Sequence, residues 1–400
     1  MEEEYLEQKK QEIFEATSKC RICMSCFADC PLQESLQGFV SQGPVGITKS
    51  LYYGILWDEL SGKNGEDLRD ILYSCTTCGA CVARCKQSAA GVDLIKIIET
   101  GRSFLVEKMI GPLPDQIKVL ESLDKDGNPY GEMDIDRTKW LKLIDKEDAE
   151  QVKVVSDSEK VENLLFTGCT AAYDRDLINI LGSIVKVMNS SGIDYGILND
   201  EVCCGDPALR IGELGLFENF AEQNVERFIA SGGARVICVC PHGYHTIKNS
   251  YPDLPDDFEV IHYTEVIAQQ IKAGNLIIKK KLSQKITYHD PCYLGRRNNI
   301  YEAPREIIES MVSDNFIEMK RNRAASLCCG GGGGRMFAEI EEVDRLSESR
   351  VNHALEIGAE IIATACPWCY IQLTDAIKTS GNEGKIIVRD ISQLLADCIA

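Results

Sequence analysis

The chain has 400 residues, 44% of them hydrophobic, enough for two or three domains with a sizeable buried core. Its 43 basic against 62 acidic residues leave a net charge of -19, which disfavours nucleic acid or an anionic membrane as a partner held by general electrostatics. No apolar run approaches the roughly 18 residues needed to span a bilayer, and the start, "MEEEYLEQKKQEIFEAT", reads as an acidic amphipathic helix, so a cytoplasmic protein without direct membrane insertion is expected. Nineteen cysteines in such a chain mean metal or redox chemistry instead of disulfides. Eighteen fall into four groups; Cys398 alone stands apart and reads as a buried, inert thiol of the last helix.

Residues 1–110 carry the first two groups. "CRICMSCFADCP" holds Cys20, Cys23, Cys26 and Cys30, and "CTTCGACVARC" holds Cys75, Cys78, Cys81 and Cys85. Each is C-x2-C-x2-C-x3-C, the ferredoxin run, in which one short loop wraps three corners of a cubane and the fourth cysteine, opening the next helix, turns to the neighbouring cluster. The spacing predicts two cubane [4Fe-4S] clusters with crossed ligation, Cys20, Cys23 and Cys26 with Cys85, and Cys75, Cys78 and Cys81 with Cys30. A pair of zinc knuckles would need no shared fourth position. The second run lacks the usual proline, having Lys86 where the first has Pro31. The 44 residues between Cys30 and Cys75 read as a mostly helical insertion with a turn at Gly43-Pro44. Exposed apolar patches are expected near residues 31 to 60. "LIKIIETGRSFLVEKMI" reads as a helix ended by "GPLP", and residues 111–160, polar with the turn signal "KDGNPYG", as a connecting segment against the surface.

From about residue 161 short apolar strands alternate with helices: "NLLFTG", "DLINILGSIVKVMNSSG", "DYGIL", "GLFENFAEQNVERFIASGG", "RVICVC". The alternation predicts βαβ units and a mainly parallel sheet. The pattern then recurs in "KITYHDPCYLG", a helix over "RMFAEIEEVDRLSESRVNHALEIG", and "EIIATACPWC". Cys169 maps to Cys292, Cys203-Cys204 to Cys328-Cys329 and Cys240 to Cys366, at offsets of 123, 125 and 126 residues, an internal duplication. The expected architecture is α/β: a helical N-terminal bis-[4Fe-4S] ferredoxin-like module (1–110), the connecting segment (111–160), and two duplicated Rossmann-like repeats (161–280 and 281–400).

The second repeat reads Cys292, 35 residues, Cys328-Cys329, 36 residues, then Cys366-Pro-Trp-Cys369. Here the chain resembles the CCG-domain family found in the catalytic subunits of heterodisulfide reductase, and with the ferredoxin module in front it resembles the D subunit of that enzyme. A similar layout occurs in the iron–sulfur subunits of anaerobic glycerol-3-phosphate dehydrogenase and glycolate oxidase. The resemblance implies that Cys292, Cys328, Cys329, Cys366 and Cys369 hold a noncubane [4Fe-4S] cluster with one thiolate shared between irons. It implies a catalytic role for that site in cleaving a disulfide of the coenzyme M–coenzyme B type in two one-electron steps. Five glycines follow the cysteine pair; Gly330 and Gly331 in particular would let backbone N–H groups approach the sulfurs and leave the iron open to substrate.

The first repeat departs from the family: Cys169, Cys203, Cys204 and Cys240 are present, but "CPHGYH" puts Gly243 where the last cysteine belongs. Zinc, a degraded four-cysteine iron–sulfur cluster or no metal are the open alternatives there, with Cys238 or His245 as substitute ligands. His289, before Cys292, can deliver a proton to a thiolate product, or be a satisfied histidine at a strand end. Arg296, Arg297 and Arg335, on cysteine loops, can receive an anionic head group or be ordinary solvated arginines. Trp368 is expected to cover the cluster. No GxGxxG fingerprint or flavin motif is visible, so the resemblance implies a flavoprotein or membrane cytochrome b-type partner, with other electron-transfer subunits, and a peripheral membrane position through that partner. The alternative to disulfide reduction is an electron conduit between a flavoprotein dehydrogenase and a quinone or ferredoxin pool.

Overall fold

The computed structural model describes residues 2–35, 43–87, 91–131, 137–156, 160–338, 340 and 345–399. The acidic start forms a helix, Glu2–Ser18, that lies along helix Leu94–Glu107. Helices Pro44–Leu56 and Gly62–Tyr73 fill the span between the two cysteine runs, the first with proline in its opening turn, where a missing N–H leaves nothing unpaired. Leu51, Leu72, Ile97, Ile98 and Phe104 from these helices form one buried core. That core holds the two cysteine loops side by side.

Residues 111–160 differ from the expected surface connection. Helix Pro114–Asp126, the 3-10 turn Lys139–Leu143 and a short helix Lys146–Ala149 lead into strand β1, Lys153–Val154. Trp140, 1% exposed, plugs this segment into the sheet core. Leu123, Val152 and Val155 are buried as well, so a few apolar side chains anchor a stretch whose average composition is polar.

Strands β2 (Asn163–Phe166), β3 (Tyr195–Ile197), β4 (Arg235–Cys238) and β5 (Glu259–His262) join β1 in a parallel sheet of order β1-β3-β2-β4-β5. Strands β6 (Ile286–Tyr288), β7 (Ile361–Thr364) and β8 (Ile387–Asp390) make the second parallel sheet, β6-β7-β8. Strands β1, β5 and β8 were not among the expected strands. The repeat helices bind the two sheets together: helix Ile178–Ser191 packs on Ile391–Ile399, and Tyr263–Lys272 on Glu302–Met311, burying Leu181, Ile184, Ile391 and Leu395 in a common core. Cys398 is buried in that last helix. The helix expected over 335–358 is shorter, Leu346–Glu356, preceded by a 3-10 turn at Arg335–Phe337; residues 339 and 341–344 lie outside the described residues. The cysteine loops follow the carboxyl ends of β2, β3, β4, β6 and β7, the end of a parallel sheet where ligands bind. Among the described residues no helix is long and apolar enough to cross a membrane.

Candidate functional site

The ferredoxin loops bring their cysteines together in two sets. Cys30, Cys75, Cys78 and Cys81 line one cavity, walled by Leu32, Ile47, Ile95 and Ile98. Cys20, Cys23 and Cys85 surround Cys26, whose thiol is pushed up to about 11 by burial and then by the charges of Cys20 and Cys85. Cys85 does not open a helix; it sits with Cys81 in helix Ala80–Gln87. The two are four residues apart and so share one helical face a turn from each other, which is how one helix serves both sets. Arg84 of this helix donates to both carboxylate oxygens of Asp29, at 2.5 and 3.1 Å, and ties the first loop to the second. Backbone N–H groups of Thr77 and Val92 donate to Cys75 Sγ at 3.4 Å and Cys85 Sγ at 3.2 Å.

In the second repeat all five cysteines are buried. Cys366 caps helix Pro367–Thr379, and Cys369 in its first turn lies with its Sγ 3.3 Å from Cys329 Sγ. Cys328 accepts from Cys292 and Cys78, which pushes the Cys78 and Cys292 thiols up and holds the Cys328 thiol down. Gly330 N–H donates to Cys328 Sγ at 3.4 Å, and Gly331 N–H helps hold the Cys329 thiol down after Cys328 and Cys369. His289, 1% exposed, has its ring nitrogen within 4.8 Å of both Cys329 Sγ and Cys369 Sγ. Arg350 Nε donates to His289 Nδ1 at 3.1 Å, and burial, reinforced by the Arg350 charge, lowers the ring to about 3. His289 is therefore neutral, and of the two readings open in the sequence, a proton donor or a satisfied histidine at a strand end, its Nδ1 side fits the second.

The second repeat presses against the ferredoxin loop. Cys78 shares a buried cluster with Cys292, Tyr293 and Cys328. Arg296 Nε donates to Cys78 O at 2.9 Å, Arg297 Nη1 to Thr77 O at 3.1 Å, and the Thr77 and Tyr293 hydroxyls lie 2.7 Å apart. Arg102, fully buried, donates to the carbonyls of Leu72, Cys75, Arg210 and Gly333, joining the ferredoxin module to both repeats. Arg296 and Arg297 are thus spent on the junction and are not solvated arginines awaiting an anion.

The glycine run has a reason the sequence did not supply. A Cβ on Gly332 would lie 2.4 Å from Thr76 O, and one on Gly333 2.4 Å from Cys75 O, so bare backbone is what admits the ferredoxin loop. Gly333 also has φ +66°, where a side chain adds strain. Gly333→Ala is expected to push residues 75–78 away from the second repeat, at a cost of about 2–5 kcal/mol from overpacking and backbone strain together. Hydrogen exchange at residues 75–78 checks this. Gly384→Ala is the control, since Gly384 has a similar φ of +77° with nothing within 4 Å. Equal protection in both variants would remove the junction role.

In the first repeat Cys169, Cys203, Cys204 and Cys240 line one cavity together with His242, Gly243 and Trp368. A Cβ on Gly243 would sit 3.7 Å from Cys204 Sγ, and in the other repeat the cysteine at the matching position, Cys369, meets Cys329 Sγ at 3.3 Å. The expected substitutes are elsewhere: Cys238 ends β4 inside the sheet core, and His245 Nδ1 is held by Asn249 and Asn298. His242, missed in the sequence, lines the cavity instead, with Nδ1 3.1 Å from Asp206 Oδ2 and its ring between Tyr293 and Trp368, at centroid distances of 3.9 and 4.1 Å. Cys240 also contacts Cys366 of the second repeat. Trp368 is buried at this seam, its Nε1 donating to Thr170 Oγ1 at 2.7 Å.

A cleft of about 460 Å³ reaches Cys329 and Gly330 from solvent, lined by Arg335, Arg345, Gln372, Asp115 and Asp375. Arg335 donates to Ser74 O at 3.2 Å and Arg345 pairs with Asp375 at 2.9 Å. Converging buried thiols, none in a disulfide, with backbone N–H groups aimed at several sulfurs, are the donor chemistry of iron–sulfur clusters.

Residues 164–248 and 286–374 match the family model of the CCG cysteine-rich domain, and residues 16–89 that of the 4Fe-4S dicluster domain. The chain is 32% identical over 336 residues to the EtfAB:quinone oxidoreductase of Syntrophomonas wolfei, covering 82% of this chain and 46% of that protein. It is 33% identical over 331 residues to the probable iron-sulfur-binding oxidoreductase FadF of Bacillus subtilis, covering 82% and 46%. With the D subunit of the dihydromethanophenazine:CoB–CoM heterodisulfide reductase of Methanosarcina barkeri it shares 33% identity over 350 residues, 85% of this chain and 81% of that protein. The chain thus spans about half the length of the first two and most of the third. Two cysteine-rich repeats behind a dicluster domain, at this identity and coverage, place the chain in the CCG-domain iron–sulfur oxidoreductase family to which the D subunit of heterodisulfide reductase belongs.

Proposed function

We propose that this chain is the electron-transferring iron–sulfur component of a larger complex, and that its second-repeat site reduces a disulfide to two thiols with two electrons and two protons. The observation that carries the reading is the thiol contact between Cys78 of the ferredoxin loop and Cys328 of the cysteine pair. Both cysteines lie in one buried cluster, so electrons held at one set of cysteines have a short path to the other.

In this reading Cys20, Cys23, Cys26 and Cys85 hold one cubane, Cys75, Cys78, Cys81 and Cys30 the other, and Cys292, Cys328, Cys329, Cys366 and Cys369 a noncubane [4Fe-4S] cluster. When bound, these clusters supply the one-electron steps between a donor protein and the substrate. The residues around them do the rest. Arg296, half-buried beside Cys78, Cys292 and Cys328, offsets their negative charge. Gly330 and Gly331 supply N–H donors to the sulfurs, and Phe337, edge-on to Trp368, helps keep water from them. The cleft at Cys329 gives a substrate its approach, with Arg335 on its wall. The donor is a flavoprotein or a membrane cytochrome b-type protein, the latter giving a peripheral membrane position. Exposed Tyr53, Leu56 and Trp57, within the span expected to carry apolar patches, are candidates for that contact.

A second reading, a conduit from a flavoprotein to a quinone, is favoured by Gly243: without a fifth thiolate in the first repeat, two matched sites cannot act on one disulfide. The first repeat then holds zinc, a four-cysteine cluster or nothing. Steady-state assay of the purified complex with a coenzyme M–coenzyme B type heterodisulfide, and separately with reduced flavoprotein and a quinone, decides between them. Disulfide turnover supports the first reading. Quinone reduction without disulfide turnover sinks it in favour of the second, and no turnover with either removes both.

A further inference from the structure

The second-repeat cysteines bury one histidine against themselves, and its hydrogen bonding fixes what it can do. Arginine carries only donors, so the Arg350 Nε–H at 3.1 Å forces His289 Nδ1 to be the acceptor. A neutral ring with a bare Nδ1 carries its proton on Nε2. That Nε2–H has no hydrogen-bond partner among the described residues, although the side chain is 1% exposed. A buried N–H left without an acceptor forfeits its hydration for nothing, so a fold that keeps one implies an acceptor in the working protein. The ring faces sulfur: one nitrogen of His289, Cys329 Sγ and Cys369 Sγ lie within 4.8 Å of one another.

Arg350 is itself fixed. It is fully buried, and its Nη1 donates to Arg321 O at 2.7 Å, so the guanidinium cannot swing away and release Nδ1. The neighbouring carboxylate does not compete for the ring, because Asp290 is taken by Arg305 at 2.7 and 3.0 Å and by Arg323 N–H at 2.8 Å. Three ways of using a histidine beside thiolates therefore separate. Iron ligation through Nε2 needs a lone pair that this tautomer does not have. Proton delivery needs an imidazolium, which would carry a proton on Nδ1 where the Arg350 Nε–H already donates. Donation of an N–H to sulfur needs what the ring has.

We propose that His289, held in its Nε2–H tautomer by Arg350, is a positioning residue that donates a hydrogen bond to a sulfur of the second-repeat iron–sulfur site and is neither an iron ligand nor a proton donor. The proposal rests on the reading that these five cysteines hold a cluster. An N–H···S bond stabilises the more negative, reduced form, so it raises the reduction potential. Arg350 sets the tautomer and, through it, that potential.

The test uses the full chain, purified anaerobically, with iron and acid-labile sulfide measured first. In protein labelled with 15N-histidine, pulsed EPR of the second-repeat signal should show a weak histidine coupling typical of a hydrogen bond, lost in His289→Leu. His289→Leu should shift the midpoint potential of that signal to a lower value, and His289→Gln, which keeps an N–H donor, should restore most of the shift. Arg350→Met should lower the potential less than His289→Leu. A large coupling of the size given by a directly ligating imidazole overturns the proposal, as does a potential that the leucine variant leaves unmoved. Wild-type protein without the second-repeat signal, or without its iron, removes the cluster reading itself and the proposal with it, an outcome the metal analysis identifies separately.

Discussion

Cys329→Ala is expected to abolish the second-repeat iron–sulfur signal while both ferredoxin-type signals survive. Cys329 is 4% exposed and shares a buried cluster with Cys366, Trp368 and Cys369, so no alternative thiol can swing in from solvent to replace it. Most of the ferredoxin cysteines are held by a different core, built from Leu51, Leu72 and Ile98, and Cys329 itself belongs to another cluster from the one in which Cys78 meets Cys328. If the second repeat holds a four-iron cluster, iron should fall from about 12 to about 8 per chain, with sulfide falling in step. Disulfide turnover should drop below detection. Cys30→Ala should reverse the pattern, damaging the cubane assigned to the second run because Cys30 shares a cavity with Cys75, Cys78 and Cys81. Anaerobic metal analysis with EPR of the three proteins decides both points. A substrate-dependent signal unchanged in Cys329→Ala would take the cysteine pair out of the site.

Gly243→Cys is expected to add iron. Cys204 corresponds to Cys329 in the duplicated sequence, and a Cβ on Gly243 meets Cys204 Sγ at 3.7 Å and Phe166 at 3.8 Å, ordinary contact distances. Gly243 is buried in helix Pro241–Ser250, and none of those contacts would have to shift. A cysteine there completes five thiols around the cavity that already holds Cys169, Cys203, Cys204 and Cys240. The unmodified chain should contain about 12 irons, and the variant about 16, with matching sulfide. Zinc in the unmodified protein, lost as iron is gained, would identify the first repeat as a closed tetrahedral site. About 16 irons in the unmodified protein would mean that four cysteines suffice. The asymmetry between the repeats would then disappear, and two sites acting on one disulfide would return as the mechanism.

The sequence by itself determined what depends on short covalent spacing and on local period. Three cysteines at C-x2-C-x2-C must lie on one tight loop whatever surrounds them, and residues four apart share a helical face; both constraints act within a dozen residues. The switch from helical period to alternating strands and helices at about residue 161, and the offset of 123 to 126 residues between the two cysteine patterns, likewise announced parallel sheets and a duplication. Strands of two to four residues, such as β1 and β8, carry too few side chains for any period to show. Only the tertiary structure decided contacts made across long separations. That Gly332 and Gly333 admit the backbone of Cys75 and Thr76, that Arg296 and Arg297 are consumed at the junction, and that His242 takes the place expected of His245 are packing outcomes. So is the pairing of Arg350 with His289, 61 residues apart. A histidine's tautomer is set by the partner that the fold brings to its other nitrogen, and no spacing in the chain encodes that partner.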